Sequence, residues 1–231
     1  MKFYLSHGMG INSTALMLLL EDMGFEFESV FVDVGTEYPE TYEYLDYLRE
    51  QGYEITVLKP NVEGFDNLYD YCKRYRIVPG QFMRWCTDKF KIRTMKNYIR
   101  VPSVVFIGIG YDENHRAFGR PLKPGAVNCY PLVNYRITRQ RCIKIIREHG
   151  LKVPRKSGCW LCPFLSKQEI RELYIKHPDL YEKRKEIEQL AIQRTNGKGG
   201  YLKYRETTDE IAMENNMRLL EVDANGMVAG I

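Results

Sequence analysis

The chain lacks any segment that would carry it into a membrane. No stretch approaches the ~20 consecutive apolar residues that a span requires. The N-terminus offers a single Lys2 before a short strand-like run, without the charged and apolar regions of an export signal. These absences predict a cytoplasmic protein with no membrane partner. The chain also lacks the Gly-Lys-Ser/Thr of a Walker loop, so any grip on phosphate must come from a different turn. It has no internal repeat and no low-complexity tract, which excludes solenoids and arrays. Neither sign of charge dominates: a net charge of +4, 28% charged and 44% hydrophobic residues over 231 positions suit one α/β domain with a smaller appendage. Such a balance permits a polyanionic partner without demanding one.

What is present begins with periodicity. Lys2 to Ser6, Glu28 to Val34 and Tyr53 to Leu58 read as strands, separated by helical stretches at Ser13 to Met23 and Pro39 to Gln51. Strand–helix alternation with crossovers of helical length predicts a Rossmann-like parallel sheet covered on both faces. A helix is expected around Asn67 to Tyr75, and a basic helix from Thr87 to Arg100. VVFIGIG, Val104 to Gly110, is the most apolar strand and should lie centrally. Tyr111 to Val127 reads as a long polar loop. Thr138 is the expected N-cap of a helix running to His149, Ser166-x-x-Glu169 is a capping box, and a further helix follows from Asp179 to Gln193. The expected organisation is an α/β nucleotide domain over 1–135, a small helical, cysteine-bearing subdomain over 136–195 and a tail over 196–231.

Strand one ends at Ser6, and the turn His7-Gly8-Met9-Gly10 leads into Asn12, Ser13 and Thr14. Glycines let a backbone approach an anion closely, and the hydroxyls add donors at a helix N-terminus whose dipole favours negative charge. Three readings stand. The spacing nearly fits a dinucleotide fingerprint, with Asp33 where a ribose ligand would sit, but Ser13 replaces its third glycine. It also fits a pyrophosphate loop of ATP α–β-cleaving enzymes, with Met9 where Gly is usual and Asn12 where Asp is usual. The third is a plain tight turn.

Six cysteines without an export signal point to metal binding or redox chemistry rather than disulfides. Cys159-Trp-Leu-Cys162 brings two sulfurs to one point, as a metal ligand pair or a redox dithiol, with unligated thiols as the remaining possibility. Cys72 lies on an amphipathic helix and reads as core. Residues 136–156 carry Arg136, Arg139, Arg141, Lys144, Arg147, Lys152, Arg155 and Lys156 against the single acid Glu148. This is either a solvated face or a surface for nucleic acid.

Longer motifs add a family resemblance. FVDVGTEYPETY at 31–42, RWCTDKFKI at 84–92, GIGYDENHR at 108–116 and the run from Cys129 to Phe164, ending KSGCWLCPF, together resemble the phosphoadenosine-phosphosulfate (PAPS) reductase-like family, over roughly residues 1–190. The resemblance implies a pyrophosphate-loop fold that binds ATP or another adenine nucleotide. Contacts are expected from Ser6, Gly8, Gly10, Asn12, Ser13, Thr14, Asp33 and Gly35. Charge neutralisation is expected from Lys89, Lys91, Arg93 and Arg116, the last able to hold phosphate or sulfate bidentately. The resemblance completes a metal set of Cys86, Cys142, Cys159 and Cys162, with Cys129 as a rival for one place. It favours a 4Fe–4S cluster, which spacing alone does not separate from zinc. The expected activity is adenylation by ATP α–β cleavage, in sulfur transfer or nucleic-acid modification, with a sulfur or thiol donor protein as partner. Alternatives are a sulfonucleotide reductase and a nucleotide-binding module with structural zinc. The chain departs from the reductases in having no cysteine after Cys162 and no tandem cysteine pair.

Overall fold

Alternation of apolar strands with helices of ten or so residues yields a parallel five-stranded sheet in the computed structural model, which describes residues 1–155, 157–203 and 206–213. In chain order the elements begin β1 (Lys2–Ser6), α1 (Ile11–Asp22), β2 (Glu28–Val32), α2 (Pro39–Glu50), β3 (Ile55–Leu58), α3 (Leu68–Tyr75) and α4 (Arg93–Tyr98). They continue as β4 (Ser103–Ile107), β5 (Ala126–Cys129), α5 (Pro131–Asn134), α6 (Arg139–Glu148), α7 (Lys167–Lys176) and α8 (Pro178–Arg194). Lys156 of the expected basic segment and residues 214–231 of the expected tail lie outside the described residues.

The chain forms two compact units. The first, Met1–Asn67 with Thr87–Cys159, holds the sheet in the order β3-β2-β1-β4-β5, every pair parallel. α1 is buried around most of its circumference, as its unbroken run ALMLLL requires. Leu16, Leu18 and Leu20 join Phe31, Phe106, Ile145 and Ile146 in one core. α6 packs on α1 and therefore belongs with the sheet, not with the helical subdomain expected from residue 136. The face that carries it inward is Cys142, Ile145 and Ile146. Thr138 caps α6 as expected, its hydroxyl accepting from the Arg141 N–H at 3.4 Å.

Two expectations change here. The basic helix expected over 87–100 starts as a π-helical turn, Thr87–Ile92, before α4, with Phe90 fully buried as its anchor. The long loop expected over 111–127 contains a 3₁₀ turn, Tyr111–Arg116, and runs into β5, a four-residue edge strand.

The second unit, Leu68–Cys86 with Trp160–Ile231, is helical: α8 packs on α7 and α3. Ser166 and Glu169 form the expected capping box, and Pro178 occupies the first turn of α8, where its missing N–H costs nothing. Arg184 of α8 is completely buried, and its Nη1 donates to the carbonyls of Trp160 at 2.8 Å and Cys162 at 3.2 Å. One turn further on, buried Glu188 accepts the N–H groups of Leu202 at 2.8 Å and Thr208 at 2.5 Å.

Candidate functional site

The turn between β1 and α1 is shaped by its own hydrogen bonds. The N–H groups of Gly8 and Gly10 each donate to the Ser13 hydroxyl oxygen at 3.2 Å, and that hydroxyl lies 3.1 Å from the Gly10 carbonyl it donates to. Two amides converging on one oxygen at a helix N-terminus form a cradle suited to an anionic oxygen. Met9 sits between them with φ of 53°, a left-handed conformation that glycine adopts without strain. Buried His7 accepts the Met9 N–H on Nδ1 at 3.2 Å. Burial holds its pKa down to about 3, so the ring is neutral and its proton resides on Nε2. That buried Nε2 has no hydrogen-bond partner among the described residues, and neither has Oδ1 of buried Asn12. Thr14 is buried behind them, and Ser6 closes β1 on the exposed side.

Sheet order makes this turn a candidate site. β1 is central, and the chain leaves it towards β2 on one side and β4 on the other. The crevice at the C-terminal ends of β1 and β4 is therefore the topological switch point, where open α/β sheets take their ligands. Two glycines let that crevice close. A Cβ on Gly108 would lie 2.9 Å from both N and Cα of Ser13, and a Cβ on Gly110 would lie 2.6 Å from Asp112 Oδ1 and 3.1 Å from Asn12 Nδ2. The close packing that a fingerprint glycine at position 13 would provide is supplied across the crevice by Gly108. Sequence reasoning misses this pairing; the available signal was a pair of glycines directly after the most apolar strand.

The loop after β2 forms the second wall. Asp33 is buried and accepts from Gly35 N–H at 2.8 Å, Tyr42 Oη at 2.7 Å and Lys59 Nζ at 2.5 Å. Burial alone would raise its pKa, but Lys59, the Gly35 amide and Tyr42 outweigh burial and hold the carboxyl below its usual range. A group with a depressed folded-state pKa stabilises fully above its unfolded value, 3.8 for an unperturbed aspartate, and loses that contribution as pH falls through the folded value. Comparing melting temperatures at pH 5 and pH 3 should therefore show a smaller acid loss in Asp33→Asn than in the wild type. Equal losses would mean that this carboxylate is not held as described.

Residues 157–159 complete the wall. Tyr38 N–H donates to the Gly158 carbonyl at 3.1 Å, Glu37 and Cys159 form an antiparallel bridge, and Thr36 Oγ1 lies 3.0 Å from Cys159 Sγ. A Cβ on Gly10 would meet Ser157 Oγ at 2.5 Å. Ser157 thus stands against the phosphate turn and Cys159 against the loop after β2.

The four expected cations separate. Lys91 pairs with buried Glu37 at 2.7 Å, and Arg116 with Glu113 at 2.8 Å in the 3₁₀ turn that follows Gly110, so both attach to the crevice walls. Lys89 and Arg93 instead line a cavity of about 500 Å³ beside the end of β3, with Lys59, whose lining includes no residue of the phosphate turn.

The expected metal ligands are divided between the two units. Cys142 is fully buried in the core between α1 and α6, where burial pushes its thiol up to about 12. Burial also raises the rival Cys129, which packs against the same core, and Cys72 is core as expected. Cys159 belongs to the first unit, and Cys86 and Cys162 to the second. Among the described residues no group of three or more His, Cys, Asp or Glu is placed to hold a metal, and no cysteine is in a disulfide. No chemical step is assigned to a four-thiolate cluster. No described helix is long and apolar enough to cross a membrane.

A parallel sheet with an anion cradle at its switch point defines a nucleotide-binding α/β class. Within that class, the family model for the phosphoadenosine phosphosulfate reductase domain matches residues 2–154, and the chain belongs to this family. The match spans all five strands, the phosphate turn and the Asp33 loop, and stops short of Ser157 and Cys159. Two uncharacterized proteins of Methanocaldococcus jannaschii are similar to the chain. One is 25% identical over 204 residues, covering 81% of this chain and 41% of the relative. The other is 23% identical over 195 residues, covering 75% and 44%. The chain therefore spans less than half the length of each. Family membership supports, at the family level, a domain that uses a nucleotide.

Proposed function

We propose that the chain binds ATP at the β1–α1 turn and cleaves it between the α and β phosphates, transferring the adenylyl group to an acceptor. The observation that carries this reading is the convergence of the Gly8 and Gly10 amides on one oxygen position at the N-terminus of α1, in the β1/β4 crevice. In this reading an acceptor oxygen attacks the α phosphorus, the α–β bridging bond breaks and pyrophosphate leaves. The cradle holds the departing charge, as a preorganised set of donors does where negative charge develops. Asn12 presents a neutral amide where a carboxylate would repel phosphate. Neutral His7 offers a donor without a titrating charge, and Arg116 supplies the nearby cation. Asp33, fixed by three donors, orients the loop that borders the adenosine. The test is incubation with α- and γ-labelled ATP in parallel: pyrophosphate is expected in an amount equal to the α label found on the acceptor plus that released from it as AMP, whereas ADP and phosphate would overturn the reading.

A second reading is favoured by Cys159, which lies beside Thr36 at the nucleotide loop. In a sulfonucleotide reductase the Cys159 thiolate would attack the sulfuryl sulfur, forming Cys159–S–SO₃⁻ and releasing the nucleotide. A thiol donor protein would then displace sulfite, leaving a disulfide. Sulfite release that is lost in Cys159→Ser identifies this reaction.

A further inference from the structure

Between Glu113 and Glu148 the sequence contains no acidic residue, yet it contains Arg116, Arg120, Lys123, Arg136, Arg139, Arg141, Lys144 and Arg147. The first unit gathers part of this segment into one surface. The Tyr111 N–H donates to the Ile137 carbonyl at 2.8 Å, and the Arg139 N–H to Asp112 Oδ1 at 3.2 Å, joining the loop after β4 to the turn before α6. The Asn128 side-chain amide donates to the carbonyls of Gly119 at 3.4 Å and Arg120 at 3.1 Å, tying that loop to edge strand β5. On this anchored surface Phe118 is 88% exposed and Tyr135 is 62% exposed. Arg120, Arg136 and Arg139, on the same segments, are exposed as well. Arg136 is held at φ of 53°, a conformation unfavourable to a side chain, and such outliers often mark functional positions.

We infer that this surface binds single-stranded nucleic acid, which supplies the acceptor in the adenylation proposed above. Exposed rings give unpaired bases a face on which to stack, and the arginines neutralise the backbone; stacking combined with cationic contacts is the recognition mode for single strands. A duplex keeps its bases stacked on one another and has no use for the rings. A carbohydrate or neutral peptide has no use for the positive charge of Arg120, Arg136 and Arg139. The surface continues through Asp112 and Gly110 to Asn12 of the phosphate turn, so a strand lying on it reaches the crevice where adenylyl transfer would occur.

The inference rests on the adenylation reading for its chemical purpose but not for its test. Fluorescence anisotropy with labelled single-stranded DNA and RNA of about 12 nucleotides, within the usual site size for such folds, needs no ATP. Phe118→Ala should weaken binding about tenfold, within the range measured for loss of one base stack. Arg120→Ala with Arg139→Ala should reduce the salt slope by about 1.4, at ~0.7 per phosphate for a single strand. Arg136→Gly removes the cation while relieving the backbone, so weaker binding with an unchanged or higher melting temperature excludes loss of folding as the cause. The RNA and DNA arms identify the strand. Equal affinity for duplex, displacement by anionic lipid vesicles, unchanged affinity in Phe118→Ala, or no binding at ~50 mM salt would each overturn the inference. In that event AMP release from ATP would still be measurable, keeping the two proposals distinguishable.

Discussion

Gly108→Val is expected to reduce nucleotide affinity at least about a hundredfold, roughly 2.7 kcal/mol. The cause is contact with backbone. A Cβ at 108 would stand 2.9 Å from N and Cα of Ser13 and 3.1 Å from the Asn12 carbonyl carbon, and none of these atoms can rotate away. α1 would have to move off β4, and the Gly8 and Gly10 amides would lose their convergence. Over-packing of this kind costs ~1–3 kcal/mol in stability as well, so Gly108→Ala, with the smaller intrusion, should show the affinity loss in a protein that still melts cooperatively. Gly199→Ala is the matched control, since nothing lies within 4 Å of the added atom. Titration calorimetry with a non-hydrolysable ATP analogue reads both. Wild-type affinity in a folded Gly108→Val protein would remove the crevice as the nucleotide site.

The other large effect belongs to the second unit. Arg184→Met should destabilise it by about 3 kcal/mol, because two buried carbonyls lose donors from a charged group, each such bond being worth ~1.5–3 kcal/mol. For a chain of this size that corresponds to a fall in melting temperature of about 6–12 °C. The readout specific to this geometry is hydrogen exchange. Amides of residues 160–165 should exchange faster in Arg184→Met, since Nη1 holds the Trp160 and Cys162 carbonyls, while amides of β1 and β4 should be unaffected. Protection unchanged at 160–165 would mean that the arginine is not what fixes the Cys-x-x-Cys loop.

Much of the first unit was legible because local chemistry and tertiary packing agree there. β1 occupies the residues its pattern predicts, Thr138 and Ser166 cap as their side chains suggest, and the strand–helix alternation forms the expected parallel sheet. α1 begins at Ile11 rather than Ser13 because its N-cap is Gly10, which has no side chain to announce it. β5 was hidden because its residues, Ala-Val-Asn-Cys, lack a run of strand formers and sit behind a glycine- and proline-rich approach. Cys142 was legible as buried from its spacing to Ile145 and Ile146, at i+3 and i+4, which marks one helix face. Ser157 lies against Gly10 and Cys159 beside Thr36, neighbours more than a hundred positions away, and no local pattern encodes such contacts. Lys89 on the π-helical turn and Arg93 at the start of α4 carry the charge expected near phosphate, and both line the cavity beside the end of β3.

The Ser13 hydroxyl has a consequence for how fast a ligand is captured. Because it already accepts both turn amides, the backbone is held in its receiving shape without any ligand. An arriving phosphate has no loop to order and only one hydroxyl rotor to displace, so little conformational entropy opposes capture. In the reading proposed above, discrimination between nucleotides would then fall to the dissociation step, where the Asp33 loop and the crevice walls would decide how long each one stays.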